Sequence, residues 1–130
     1  MKLFVYGTLI FDEILSNLLG KKHKSIPALL ENYKIKKFYN AEYPGIIPDI
    51  GSNVSGKIIF GVNEQDISIL DAYEGVMYKR SILKVKALSK EYDCHVYVVD
   101  DNYREELSEE PWCPIDFKNN SLNNYMKNLD

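Results

Sequence analysis

The run Lys2 to Tyr6 is continuous and β-prone, it stops at Gly7, and an apolar repeat of helical spacing (Ile10, Ile14, Leu15, Leu18, Leu19) follows at once and ends at Gly20. A strand, a tight turn and a helix in so short a stretch leave little freedom in how the chain begins. Backbone N–H groups in the turn have no partner within either element, and they point at one place. With the positive end of a helix behind them, they form a ready site for a carboxylate or a developing oxyanion. Gly7 suits this turn because a side chain there would block close backbone approach. A βα turn with glycine also has a purely geometric use, so the motif leaves both readings open.

The remaining chain alternates between strand and helix patterns. Ile26 to Tyr39 reads as one or two strands, Tyr43-Pro44-Gly45 with Pro48 as a shaped loop, and Val54 to Val62 as a strand. Asn63 is a good N-cap with Asp66 at the third helical position, and Ile67, Leu70 and Tyr73 mark a second helix that ends at Gly75. Arg80 to Leu88 and Asp93 to Val99 alternate as an antiparallel hairpin joined through Ser89-Lys90-Glu91. The acidic stretch Asp100 to Glu110 reads as a solvated loop. Cys113-Pro114 opens a terminal helix whose Phe117, Leu122, Tyr125, Met126 and Leu129 dock on the body, with Trp112 as its anchor. This order predicts an α+β domain built around a mixed sheet or barrel, with residues 1–130 as a single domain.

Composition excludes several classes of function. A chain of 130 residues, 45% hydrophobic, buries one core and has no room for a second. No apolar stretch reaches the ~18 residues needed to cross a bilayer, and the N-terminus has no signal-peptide layout, so a cytoplasmic location is expected. The net charge of −3 and the scattered lysines predict neither a nucleic-acid nor an anionic-membrane partner. Cys94 and Cys113 read as reduced thiols. Two histidines and two cysteines without ligand spacing predict no metal. Arginine is scarce, which makes Arg80 and Arg104 candidates for planar carboxylate recognition.

Glu74 continues the stripe of Ile67 and Leu70 on the second helix, so a carboxylate is pushed inward. Burial raises a glutamate's pKa toward neutrality, which suits a group that must both accept and return a proton. An equally open reading makes Glu74 half of a buried ion pair with Arg80 or a lysine, and Asp71 shares nearly the same face. Cys94 and His95 suggest a thiol mechanism, but neighbours on a strand face opposite ways. His23, among Lys21, Lys22 and Lys24, reads as solvated. Tyr6, Tyr43 and Tyr78 each lie beside a turn and are candidate pocket residues.

Together, Phe4-Val5-Tyr6-Gly7-Thr8-Leu9, Tyr43-Pro44, Val54-Ser55-Gly56-Lys57, Leu70-Asp71-Ala72-Tyr73-Glu74-Gly75 and Tyr78-Lys79-Arg80 resemble the gamma-glutamylcyclotransferase-like family in order and spacing, from Leu3 to about Val99. Trp112 and the Asp116-Phe117 pair, with Cys113-Pro114-Ile115 between them, look most like the branch of pathogen-induced plant proteins and gamma-glutamylaminecyclotransferases. The resemblance implies a small mixed β-barrel with flanking helices and a cavity at its mouth. It implies that Tyr6, Gly7, Thr8 and Leu9 hold the α-carboxylate end of a small gamma-glutamyl substrate, with Tyr43, Tyr78 and Arg80 completing the pocket and Glu74 as the catalytic acid and base. The implied reaction is cofactor-free: the substrate's α-amine attacks its own γ-carbonyl, giving 5-oxoproline and a free amine or amino acid.

Three classes of function therefore stand: a cyclotransferase, a non-catalytic module that binds a glutamyl-like metabolite, and an unrelated hydrolase using Cys94. A cavity with Glu74 at its bottom next to the Gly7 turn keeps the first two and excludes the third; a cavity filled by side chains leaves only a structural role.

Overall fold

The computed structural model describes residues 1–128; Leu129, assigned above to the docking face of the last helix, lies outside the described residues. Five strands close into a barrel in the order β1 (Leu3–Val5), β3 (Pro44–Ile59), β2 (Ser25–Lys37), β4 (Tyr78–Ala87) and β5 (Lys90–Val99). β1 pairs antiparallel with β3 and parallel with β5, which makes the sheet mixed and shuts the barrel. Helices α1 (Asp12–Leu19) and α2 (Glu64–Glu74) pack outside it, with α3 (Pro114–Asn120) and α4 (Leu122–Lys127) following β5.

Alternation along β1 explains why so short a strand is buried on both faces. Phe4 joins Leu30, Ile46, Val54, Ile58, Val85, Cys94 and Val96 inside the barrel. Leu3 and Val5 face outward into a second cluster with Ile14, Leu15, Ile67 and Leu70 from α1 and α2. Asn63 and Asp66 form a reciprocal capping box that starts α2, and Gly75, at φ 78°, closes it with its N–H on the Asp71 carbonyl at 3.0 Å.

Several expectations are corrected. Pro44 and Pro48 lie in a strand instead of a loop: Pro44 opens β3, and Pro48 sits opposite Tyr33 beside a register shift where Asn32 takes φ 66°. A strand's first residue and a bulge are the two positions where the missing N–H is tolerated. β3 therefore starts ten residues before Val54, and it ends at Ile59 instead of Val62. The β4–β5 reversal falls at Leu88 and Ser89, both with positive φ, so Lys90 and Glu91 already belong to β5.

The acidic stretch after β5 is a 3-10 helix over Asp101–Glu106, followed by buried Leu107 and Ser108. Leu107 bridges Phe38, and backbone bonds tie Lys37 to Ser108 and Glu110. Its acidic side chains stay in solvent while its backbone extends the end of β2. The terminal helix is two short helices that meet at Ser121. As expected, Trp112 anchors this tail: its indole N–H donates to the Glu42 carbonyl at 2.7 Å and its ring lies 5.7 Å from that of Phe117. No helix among the described residues is long and apolar enough to cross a membrane.

Candidate active site

At the barrel mouth, where β1 gives way to the 3-10 turn Thr8–Ile10, a cavity of about 190 Å³ opens. Tyr6, Gly7, Thr8, Leu9, Tyr43, Tyr78 and Glu74, all singled out in the sequence, line it together. Arg80 does not. Its guanidinium grips Asp71 with two bonds of 3.0 and 3.2 Å and meets His95 Nδ1 at 2.8 Å on the outer surface. Arg104 pairs with Asp101 at 2.9 Å, so neither arginine reaches the cavity.

The two acids of α2 thus separate by environment. Burial alone would raise the Asp71 carboxyl, but hydrogen bonds from Arg80 and Tyr97, together with the Arg80 charge, hold it below the usual carboxylate range. Glu74, at the last turn of the helix, has no donor to its carboxylate among the described residues, and burial pushes its pKa up to about 8. The ion pair open in the sequence belongs to Asp71. Glu74 is the group left to exchange a proton.

The turn itself differs from the expected one. A single 3-10 turn intervenes, with Ile10 N–H on Gly7 O at 3.0 Å, and α1 starts only at Asp12. The Thr8 and Leu9 N–H groups open that turn and have no carbonyl within it. Any anion here is held by individual amides, since the α1 dipole lies further along the chain. The need for glycine at position 7 is also steric in a different way: an added Cβ would stand 2.9 Å from Pro44 Cγ and 3.1 Å from Cδ.

Tyr73, Met77, Tyr97 and Tyr125 complete the wall together with Phe4, Val5 and Pro44, and sequence reasoning missed the pocket role of all four. Tyr73 and Glu74 are consecutive on α2 and both reach the cavity. Thr8 Oγ1 meets the Tyr73 hydroxyl at 2.9 Å, and Tyr73 meets Tyr125 of α4. Tyr97 donates to Asp71 Oδ1 at 2.7 Å. The only available signal was the abundance of tyrosine.

Cys94 is fully buried inside the barrel, its thiol pushed up to about 11 by burial, and His95 faces the other side of β5. His23 is the opposite of its expected state: its side chain is 4% exposed and its Nε2 lies 3.4 Å from Asp66 Oδ2, where Lys21 also reaches. Neither histidine lines the cavity. No group of three or more His, Cys, Asp or Glu among the described residues is placed to hold a metal.

The closed mixed barrel, with a mouth cavity walled by tyrosines and by Glu74 from the end of α2, is the cyclotransferase type of fold. The family model described as gamma-glutamyl cyclotransferase, AIG2-like, matches residues 3–114, and the chain belongs to that family. AIG2-like protein D of Arabidopsis thaliana is 34% identical over 82 residues, covering 63% of this chain and 54% of the relative. AIG2-like protein C of the same plant is 32% identical over 83 residues, covering 64% and 48%. The chain therefore spans about half the length of the curated relatives it matches. Among solved structures, a solution structure from Arabidopsis thaliana aligns at TM-score 0.74 and 23% identity, covering 98% of this chain and 78% of that one. A gamma-glutamyl cyclotransferase aligns at TM-score 0.67 and 21% identity, covering 99% and 85%. At those identities the solved structures establish the shared fold.

Proposed function

We propose that this protein is a cofactor-free gamma-glutamyl cyclotransferase that closes a small gamma-glutamyl substrate on itself, forming 5-oxoproline and releasing an amine or amino acid. The observation that carries the reading is Glu74: a carboxyl without a donor, raised to about 8 by burial, in the wall of a cavity that also contains the Gly7–Leu9 turn. Backbone amides of that turn hold the substrate's carboxylate. The substrate's α-ammonium lies against Glu74, and its positive charge favours the carboxylate form that burial disfavours. Glu74 then takes one proton from the ammonium, the freed amine attacks the γ-carbonyl, and that proton passes to the departing nitrogen as the C–N bond breaks; the second proton, lost by the attacking nitrogen as it becomes the lactam N–H, is taken by Glu74 in turn and leaves with the released amine as its ammonium. Holding the substrate folded back supplies the proximity that an intramolecular attack exploits, worth several kcal/mol (about 7 or more in the best-oriented cases). Two free thiols fit a reducing cytoplasmic setting.

Incubation with a panel of gamma-glutamyl amines and gamma-glutamyl amino acids, read by mass spectrometry for 5-oxoproline, tests the reaction. Ring closure yields 5-oxoproline without label from isotopic water, and N-acetylation of the substrate's α-amine stops turnover. Glu74→Gln, which keeps size but cannot accept the proton, lowers kcat by about a hundredfold or more. Open-chain glutamate as first product, or activity of Glu74→Gln within about tenfold of the parent, overturns the assignment. Saturable binding of gamma-glutamyl compounds without any 5-oxoproline would leave a metabolite-binding protein of the same family.

A further inference from the structure

None of the residues lining the cavity is lysine, arginine or histidine, so the Thr8 and Leu9 amides meet an anion with no cation beside them in the wall. Donors already in place cost no reorganisation when the anion arrives, and their aim depends on how firmly the turn that carries them is held. The start of that turn is fixed from three sides. Tyr6 donates to the Tyr97 carbonyl of β5 at 2.7 Å, Pro44 packs so close to Gly7 that an added Cβ would stand 2.9 Å from its Cγ, and Tyr78 donates to the Pro44 carbonyl at 2.6 Å.

These contacts leave the end of the turn, Ile10, where the chain passes on toward α1. Lys57 reaches it. Lys57 pairs with Val5 in the β1–β3 ladder, and its Nζ donates to the Ile10 carbonyl at 3.0 Å. One residue thus spans the stretch from Val5 to Ile10, holding one end by its backbone and the other by its side chain. Gly56 makes this possible, because a Cβ there would overlap the Val5 carbonyl oxygen, and only glycine lets β3 come so close to the end of β1. Lys57 is half-buried and forms no ion pair with a carboxylate among the described residues, so its charge is spent on the turn. A hydrogen bond from an ammonium is stronger than one between neutral groups. The motif Val54-Ser55-Gly56-Lys57 contributes nothing to the cavity wall, and this bond gives it a task.

We propose that Lys57 is a positioning residue: its ammonium, bonded to the Ile10 carbonyl, locks the Gly7–Ile10 turn in the shape that aims the Thr8 and Leu9 amides into the cavity, and the affinity of the site for a carboxylate depends on that lock. That the carboxylate belongs to a gamma-glutamyl substrate rests on the cyclotransferase reading. Lys57 acts through the turn and touches no ligand.

Amide hydrogen exchange and amide shifts, followed by nuclear magnetic resonance, test this in Lys57→Met, which keeps the stem and loses the ammonium, and in Lys57→Arg, which keeps a charged donor. In Lys57→Met the Ile10 and Phe11 amides, the donors of the turn's own bonds, exchange about tenfold or more faster while amides of β3 and β5 keep their rates. Glutarate, a dicarboxylate that has no amine and cannot cyclise, shifts the Thr8 and Leu9 amides of the parent and binds Lys57→Met about tenfold more weakly. Lys57→Arg restores both to within about threefold. With a gamma-glutamyl substrate, Lys57→Met raises KM by about the same tenfold, leaves kcat within about threefold and does not move the pH profile. Unchanged exchange at Ile10 and Phe11, faster exchange spread evenly over the barrel, or glutarate binding that is absent from the parent or indifferent to Lys57 overturns the proposal. If the exchange and glutarate differences hold and no 5-oxoproline forms, the reaction alone is refuted; 5-oxoproline formed with an untouched KM in Lys57→Met refutes the role of Lys57 alone.

Discussion

In the proposed reaction the chemistry rests on one ionisation, that of Glu74. Its carboxyl is raised from 4.5 to about 8, so the folded protein binds that proton more tightly than the unfolded chain does. The cost of ionising it is absent below about pH 4.5, grows as pH rises, and is fully present above pH 8, where it reaches about 3 to 5 kcal/mol. Glu74→Gln is therefore expected to melt several degrees higher than the parent at pH 9 and to show no gain at pH 4.5, as measured by calorimetric melting across that range; a gain that does not change with pH would remove burial as the cause. The same ionisation predicts that kcat/KM climbs roughly tenfold per pH unit up to about 8, since only the carboxylate of the free protein accepts the ammonium proton. Sequence spacing brought Glu74 and Asp71 to one face and could go no further. Partners from β4 and β5, Arg80 and Tyr97, made Asp71 the structural acid, and no pattern within α2 contains them.

At the scale of the element, α2 places Glu74, and its start is unusually well tied. Asn63 and Asp66 satisfy each other's backbone N–H groups at 3.1 and 2.8 Å, and Asp66 additionally meets Lys21 and His23 from the segment before β2. Asn63→Ala is expected to cost about 1 kcal/mol, read as a lower denaturation midpoint with unchanged slope. Asp66→Ala should cost more, because it also removes the partner that the buried His23 side chain has among the described residues; an equal cost for the two substitutions would reduce the Lys21–His23–Asp66 cluster to a bystander. The capping box was readable in the sequence because both of its bonds are local. His23 was misread for the converse reason: its neighbours in sequence are lysines, while its partner lies 43 residues away.

For the whole molecule, the tail closes the site. Trp112, Phe117 and Leu122 are buried against the outer cluster of α1 and α2, Phe117 stacks on Phe11 at 5.4 Å, and this docking brings Tyr125 to the cavity. The family match ends at residue 114, so Tyr125 is supplied by the part of the chain beyond it. Trp112→Ala is expected to destabilise the protein by about 3 kcal/mol and to weaken ligand binding more than it changes kcat, since the tail contributes a wall and the Tyr125 hydroxyl to the cavity and takes no part in the proton transfer proposed for Glu74. Unaltered binding in a variant that has lost this stability would show that α4 is dispensable to the cavity.

What the sequence determined by itself is whatever depends on near neighbours: a buried first strand stopped by Gly7, a capped second helix with an inward acid, the β4–β5 hairpin, and a set of motifs in family order. The resemblance of those motifs added the barrel. Turn positions slipped where an exception to a local rule was needed, as at Pro44, Pro48 and the Leu88-Ser89 reversal, because a proline or a positive φ is tolerated only when pairing across the sheet fixes the backbone there. Only the tertiary structure decided which acid is free, where each tyrosine's proton goes and which tail residue completes the pocket. Each of those depends on groups far apart in sequence that barrel closure and helix docking bring together, and hydrogen-bond direction exists only once both partners are in place.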